Sequence, residues 1–328
     1  MEQLYPLKFA PIYKDKIWGG QKLRTILGKD FGALPNCGES WEISGVKGNE
    51  SVVASGPLSG TSLPELISKY GERLLGKVVS DKYGNEFPLL IKFIDANDDL
   101  SIQVHPDDRL AKERHDSFGK TEMWYIFQAD EDASLIAGFN RKLDKDLYLS
   151  HFTAGTLKDV LNVEKVKAGD VFFIPAGRVH TIGKGICIAE IQQTSDITYR
   201  IYDFDRVDDK GQKRELHVEE ALDALDFEHH PEYKTRYSDE KNAPVRLVQC
   251  PYFTTSKINL DTTLTRDYSK IDSFVIYICF EGAFNIGCNN QTMKVCKGDS
   301  ILIPAELKHL QLIPEGHAGI LEVSIVPC

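Results

Sequence analysis

Four residues carry the chemistry this chain can be expected to perform. Gln103 and His105 stand two apart in Ser101-Ile102-Gln103-Val104-His105-Pro106-Asp107-Asp108. Glu122 follows, and His180 ends Pro175-Ala176-Gly177-Arg178-Val179-His180. All four are metal-ligand types. On a strand, residues two apart face the same way, so Gln103 and His105 share a face. Imidazoles, a carboxylate and an amide oxygen can hold a divalent ion without filling its shell, and a catalytic metal needs that open position. The pattern points to an enzyme whose chemistry sits at an ion.

The elements that must position these residues read as short strands. Val166-Lys167-Ala168-Gly169-Asp170, Phe173-Ile174-Pro175-Ala176 and His180 recur at a constant offset as Val295-Cys296-Lys297-Gly298-Asp299, Leu302-Ile303-Pro304-Ala305 and His309. Each copy reads as a Gly-Asp turn, an apolar strand, a Pro-led turn and a strand starting near the His. Duplicated short strands punctuated by Gly and Pro predict two small β-barrels or jelly rolls. Met123–Phe127 and Ser273–Phe280 are the matching strands upstream. The second copy has no Gln-x-His and places Phe274 near the position of Glu122, so its role is structural and His309 is not a ligand. Helices are predicted from Ser62 (a Ser-Leu-Pro-Glu capping box) to about Leu75, from Pro106 to about Ser117, within Leu143–Val163, and over Glu215–Phe227. They decorate a mainly β scaffold. Asp203–Arg214 reads as an exposed charged loop. The polar stretch Glu232–Ala243 marks the junction between a metal-bearing domain, residues 1–235, and a second barrel, residues 236–328.

The 328 residues suffice for two medium domains, and 42% hydrophobic with 27% charged residues is ordinary for a globular protein. A net charge of −10 argues against nucleic acid or an anionic membrane as partner. The N-terminus has no apolar signal core, and no stretch approaches a membrane span. Seven scattered cysteines without a Cys-x-x-Cys pair fit a reducing cytoplasm rather than a disulfide framework.

Gly169, five residues, then Pro175-x-Gly177-x-x-His180 matches the second motif of the cupins, whose first motif usually supplies His-x-His and a Glu. Gln103 in place of the first His resembles type I mannose-6-phosphate isomerases, which are double cupins. Lys16-Ile17-Trp18-Gly19-Gly20, Phe87-Pro88-Leu89-Leu90-Ile91-Lys92, Gly119-Lys120-Thr121-Glu122-Met123-Trp124-Tyr125 and Ser195-Asp196-Ile197-Thr198-Tyr199-Arg200 carry the same resemblance along the whole chain. Thr121 stands where the family usually has Pro.

The resemblance implies one zinc ion per chain held by Gln103, His105, Glu122 and His180. It implies interconversion of mannose 6-phosphate and fructose 6-phosphate through a cis-enediol, with Arg200, Lys120 and Asp196 as the catalytic set. Asp196 and Arg200, four apart, would share a strand face. A structural ion pair of Lys120 or Arg200 with Asp196 is the bland alternative. Ser101 and Arg178 are candidates for the phosphate. Trp18 and Trp41 are expected in the core and only secondarily at a sugar pocket. The other functional readings are an iron cupin dioxygenase and a non-catalytic sugar-binding double cupin. Monomer and homodimer both remain open.

Overall fold

The computed structural model describes residues 3–207 and 210–325. Cys328 and the Asp208-Asp209 pair of the predicted loop lie outside the described residues. The chain forms sheets of five, six and eight strands, and the first two enclose the site. The six-stranded sheet runs Ile12–Lys14, Glu39–Ser44, Leu89–Ala96, Ile186–Gln193, Glu122–Ala129, Val171–Ile174. The five-stranded sheet runs Tyr199–Tyr202, Ile102–Val104, His180–Thr181, Ser134–Phe139, Leu161–Lys165. Neighbouring strands in both sheets are antiparallel.

Strand alternation feeds two cores at once. Along Glu122–Ala129, Trp124 and Ile126 pack into the first barrel with Ile94, Ile188 and Phe172. Met123 and Tyr125 point out of it and join a second core with Ile91, Phe93, Ala189 and Ile191. A sheet buried on both faces explains why these strands read as continuous apolar runs rather than alternating ones.

The outward face packs on the eight-stranded sheet, which is built from Val245–Ser324 strands and closed at one edge by Leu7–Lys8. Phe274, Ile276, Ile278, Phe280, Leu321 and Val323 belong to the same core as Tyr125 and Phe93. Tyr125 and Phe280 have ring centroids 4.4 Å apart, and Phe87 and Phe274 4.9 Å. The alternate residues Val275, Tyr277 and Cys279 fill the interior of the second barrel with Ile258, Phe284 and Leu312. His309 begins its strand as predicted but points outward, half-paired with Asp267 at 3.6 Å.

The predicted helices sit on the outside. Asp108–His115, Lys145–Thr153 and Val218–Ala224 cover the outer face of the five-stranded sheet through Leu110, Tyr148 and Ala221. The helix opened by Ser62 is shorter than expected. The Glu65 carboxylate accepts from the Ser62 backbone N–H and hydroxyl, as a capping box does, but the helix ends at Tyr70. Gly71, at φ 47°, breaks it before Glu72–Leu75, a backbone turn that favours glycine.

The shared core between the sheets makes a direct expectation. Phe274→Ala should cost about 3–5 kcal/mol, the usual penalty for deleting a buried aromatic ring. Denaturant unfolding followed by tryptophan fluorescence checks it, since Trp18, Trp41 and Trp124 all lie in the first barrel. A loss below about 1 kcal/mol would mean that the two sheets do not stabilise each other through this ring.

Candidate active site

The antiparallel register of the five-stranded sheet lines up three of the predicted residues. Gln103 pairs directly with Arg200 on one side and with His180 on the other. Directly opposed residues point to the same face, so all three side chains face the barrel interior. His105 follows just beyond the end of the Gln103 strand and is buried. Its backbone carbonyl accepts from Gly177 N–H at 2.9 Å, which ties it to the turn preceding His180. Glu122 enters from the opposite sheet, buried at the first residue of its strand.

Both imidazoles are oriented from behind. Nδ1–H of His105 donates to the Ile197 carbonyl at 2.9 Å, and that of His180 to the Arg178 carbonyl at 2.9 Å. This tautomer leaves each Nε2 lone pair aimed into the site. Burial, reinforced for His105 by Lys120, pushes both rings toward the neutral form, with His180 down at about 3. Each Nε2 lies 3.5 Å from a Glu122 oxygen. The ligand atoms of His105, Glu122 and His180 all lie within 4.8 Å of one another, and among the described residues no other group of His, Cys, Asp or Glu gathers this way. The Gln103 amide reaches 3.2 Å from His180 Nε2, and a half-turn of that amide brings its oxygen to the same point.

Glu122 supplies the test of fit. Both its oxygens are buried and accept no hydrogen bond. Lys120 Nζ lies 2.9 Å from Oε2 as an ion-pair partner, but its hydrogen bond runs to His105 Nε2 at 2.7 Å. A buried carboxylate with free lone pairs beside two neutral imidazoles suits a divalent cation. The residues present therefore fit a metal.

Beside them opens a hollow of about 710 Å³ counting its mouth. Lys120, Asp196 and Arg200 all line it. Asp196 is exposed and precedes its strand, which begins at Tyr199, so the two share the hollow without sharing a strand face. Lys120 pairs with Glu122, and Arg200 donates through Nη1 to the Glu215 carbonyl at 2.8 Å. Arg200 Nε is buried without a partner. Ser101 lines the hollow, its hydroxyl 3.3 Å from Gln103 Oε1. Arg178 does not: it donates to the Phe173 carbonyl and lies over the Tyr233 ring, away from the site.

The Asp203–Arg214 segment is more than an exposed loop. Asp203 is buried and accepts from Arg214 Nε at 2.7 Å and Arg206 Nη2 at 2.6 Å, and Arg214 lines the hollow. Thr121 also has a definite task. Its N–H, which a proline would lack, donates to Gln193 Oε1 at 2.9 Å, and its hydroxyl accepts from Ala176 N–H at 3.2 Å. It thereby joins the Glu122 and His180 segments.

The wall opposite Gln103 sets Trp41 beside charged residues that carry no assignment from the sequence. Trp41, Lys92 and Glu190 are register partners across three neighbouring strands. Lys92 Nζ lies 3.1 Å from Glu190 and 3.8 Å from Glu39, and Glu39 lies 3.3 Å from Lys16. Trp124 Nε1 donates to Glu190 at 3.0 Å and Trp41 Nε1 to Glu39 at 2.6 Å. All six side chains except Trp124 line the hollow. Trp18 and Trp41 meet both expectations, being buried and lining the hollow. Burial opposes the charge of Lys92, but Glu190 and Glu39 outweigh it and keep the ammonium protonated. Burial also raises Glu39, yet Lys92, Lys16 and the Trp41 N–H hold it down at about 2. A charged residue inside a strand with both faces buried was a readable signal, and Lys92 in Leu89-Leu90-Ile91-Lys92-Phe93 and Glu190 in Ile188-Ala189-Glu190-Ile191 both give it.

Two apolar-backed jelly rolls, one enclosing a metal-competent site beside a charged hollow, define a double cupin of enzymatic type. The model of the phosphomannose isomerase type I catalytic domain matches residues 6–131, and that of the mannose-6-phosphate isomerase cupin domain matches residues 245–324. Mannose-6-phosphate isomerase ManA of Bacillus subtilis is 37% identical over 95% of this chain and 96% of its own. Mannose-6-phosphate isomerase of Streptococcus mutans is 38% identical over 93% and 94%. A crystal structure of the mannose 6-phosphate isomerase from Bacillus subtilis superposes with a TM-score of 0.88 at 33% identity, covering 98% of this chain and 99% of that one. The chain belongs to the type I mannose-6-phosphate isomerase family, a family of aldose–ketose isomerases.

The lowered position of Glu39 sets a sign for acid stability. The Lys16–Glu39–Lys92 contacts contribute in full above the ordinary carboxylate range and are lost as pH falls toward about 2. Glu39→Gln should therefore flatten the fall in stability between pH 5 and pH 2, about as far as one paired carboxylate allows. Urea midpoints of both proteins across that range check it, and parallel curves would count against the assignment.

Proposed function

We propose that this chain interconverts mannose 6-phosphate and fructose 6-phosphate with one zinc ion per chain. One observation carries the reading: Gln103, His105, Glu122 and His180 converge beside a hollow lined by Lys120, Asp196 and Arg200, in a chain 37% identical to a mannose-6-phosphate isomerase. Family membership favours this reading over the dioxygenase and the passive sugar binder.

The reaction moves a proton between C1 and C2 through a cis-enediol, and its barrier is the low acidity of a carbon beside a carbonyl. Zinc, bound by the four ligands, would supply Lewis-acid stabilisation of negative charge on the sugar oxygens and is redox-silent. Arg200 would stabilise oxyanion charge at the reacting carbons, a role supported by its register with Gln103. Lys120 and Asp196 are the proton carriers of the set. Lys92 and Glu190, alternating in charge along the facing wall, can donate to and accept from sugar hydroxyls. Arg214 and Lys16, which also line the hollow, give it further cationic groups to receive the phosphate, with the Ser101 hydroxyl as a neutral donor. Residues 1–235 perform the chemistry, and residues 236–328 brace the six-stranded sheet from behind. A sugar phosphate is the only partner this reading requires, and it places the enzyme in the cytoplasm.

Chelation should abolish turnover in a coupled isomerase assay, and zinc should restore it. Full activity in a preparation shown to be free of metal would refute the ion's role. Arg200→Ala should lower kcat about a hundred-fold, as loss of an oxyanion donor does, while bound zinc stays at one per chain. Equal loss of zinc and turnover would make Arg200 a structural residue. In deuterated water the wild-type chain should exchange the C2 hydrogen of mannose 6-phosphate.

A further inference from the structure

Lys120 stands apart from Lys16 and Lys92, the other lysines lining the hollow, because its ammonium is aimed at His105 and Glu122 rather than at the wall carboxylates. It is buried, 2.7 Å from His105 Nε2 and 2.9 Å from Glu122 Oε2. The tautomer of His105 is set by its Nδ1–H bond to the Ile197 carbonyl, so Nε2 carries a single in-plane lone pair. One lone pair can accept a proton donor or bind a cation, not both.

We infer that Lys120 and the metal exclude each other at His105 Nε2, so that entry of the ion is the event that releases Lys120 to the substrate. The inference rests on the metal reading above. Lys120 already lines the hollow together with Asp196, Glu190 and Arg200, so the released ammonium has carboxylates to meet without leaving the cavity. Its unbranched stem turns about four carbon–carbon bonds and needs no backbone movement. The backbone there is held, since Lys120 N–H donates to the Pro106 carbonyl at 3.1 Å and Thr121 N–H to Gln193. The proton carrier is thus sequestered until the Lewis acid is in place, which ties the two halves of the chemistry to one binding step. Lys120 also keeps Glu122 from being a buried charge without a cationic neighbour, so the site can fold before the ion arrives.

Stripped wild-type protein and stripped Lys120→Met are titrated with zinc against a competing chelator. The variant should bind zinc about ten- to a hundred-fold tighter, because no charged hydrogen bond has to be broken first. In parallel, reductive methylation of the wild-type chain read by mass spectrometry should label Lys120 when zinc is bound and spare it when zinc is stripped. Equal zinc affinity overturns the inference. So does tighter binding with unchanged labelling, which would reduce the effect to charge repulsion at a distance. If Lys120→Met does not fold, the labelling of wild type decides alone. Zinc taken up by neither protein would sink the metal reading and this inference with it, whereas zinc bound with Lys120 equally protected would sink this inference only.

Discussion

Glu122 is a carboxylate enclosed by protein with neither oxygen hydrogen-bonded, and the first barrel is organised around that charge. Leaving an ion in a low-dielectric interior costs several kcal/mol unless an opposite charge lies against it. The strand carrying Glu122 begins at that residue, which places the carboxylate at the barrel's polar end. One layer further in, the same strand supplies Trp124 and Ile126 to a fully apolar core. Two imidazoles neutralised by burial and one lysine surround the carboxylate. Each imidazole is locked from behind by a backbone carbonyl, so the geometry is set by the sheet and not by the side chains alone.

Rigidity at that point is inherited from the second barrel. The outer face of the Glu122 strand packs on Phe280 and its neighbours, so the six-stranded sheet is buried on both faces and cannot flex toward solvent. The repeat that produced two similar barrels has therefore been put to unequal use. In the first copy the His of the Pro-led turn points inward and is buried; in the second, His309 points outward and the interior is filled by Tyr277, Phe284 and Leu312.

Charge is arranged on the hollow's walls so that few groups lack a counterpart. The row Lys16, Glu39, Lys92, Glu190 alternates in sign, and tryptophan N–H groups pin its two carboxylates. Across from it, Arg200 keeps one buried N–H unmatched. A buried donor of that kind costs stability for as long as it lacks an acceptor.

The candidate ligands and the proposed catalytic set could be picked out in the chain as candidates because they lie in short motifs, with Gln103 and His105 two apart, Lys120 and Glu122 two apart, and His180 at the end of a Pro-led turn; that His105, Glu122 and His180 gather is a property of the fold. Strand alternation then gave a face, and the repeat gave two barrels. The Lys16–Glu39–Lys92–Glu190 wall was not legible as a unit, since its members lie on a loop and three strands and meet only through sheet register. Arg178 looked as eligible for phosphate as Ser101, but the turn before His180 aims it at the Phe173 carbonyl. Asp203 looked like one charge among many in a polar segment, and became a buried anchor because Arg206 and Arg214 converge on it. By itself the sequence determined which residue types could hold an ion and which strands would carry them, because ligand chemistry and a two-residue period are local properties. Which side chains share one cavity was decided by the tertiary structure alone, because antiparallel register and the packing of one sheet on another bring together residues that no local pattern relates.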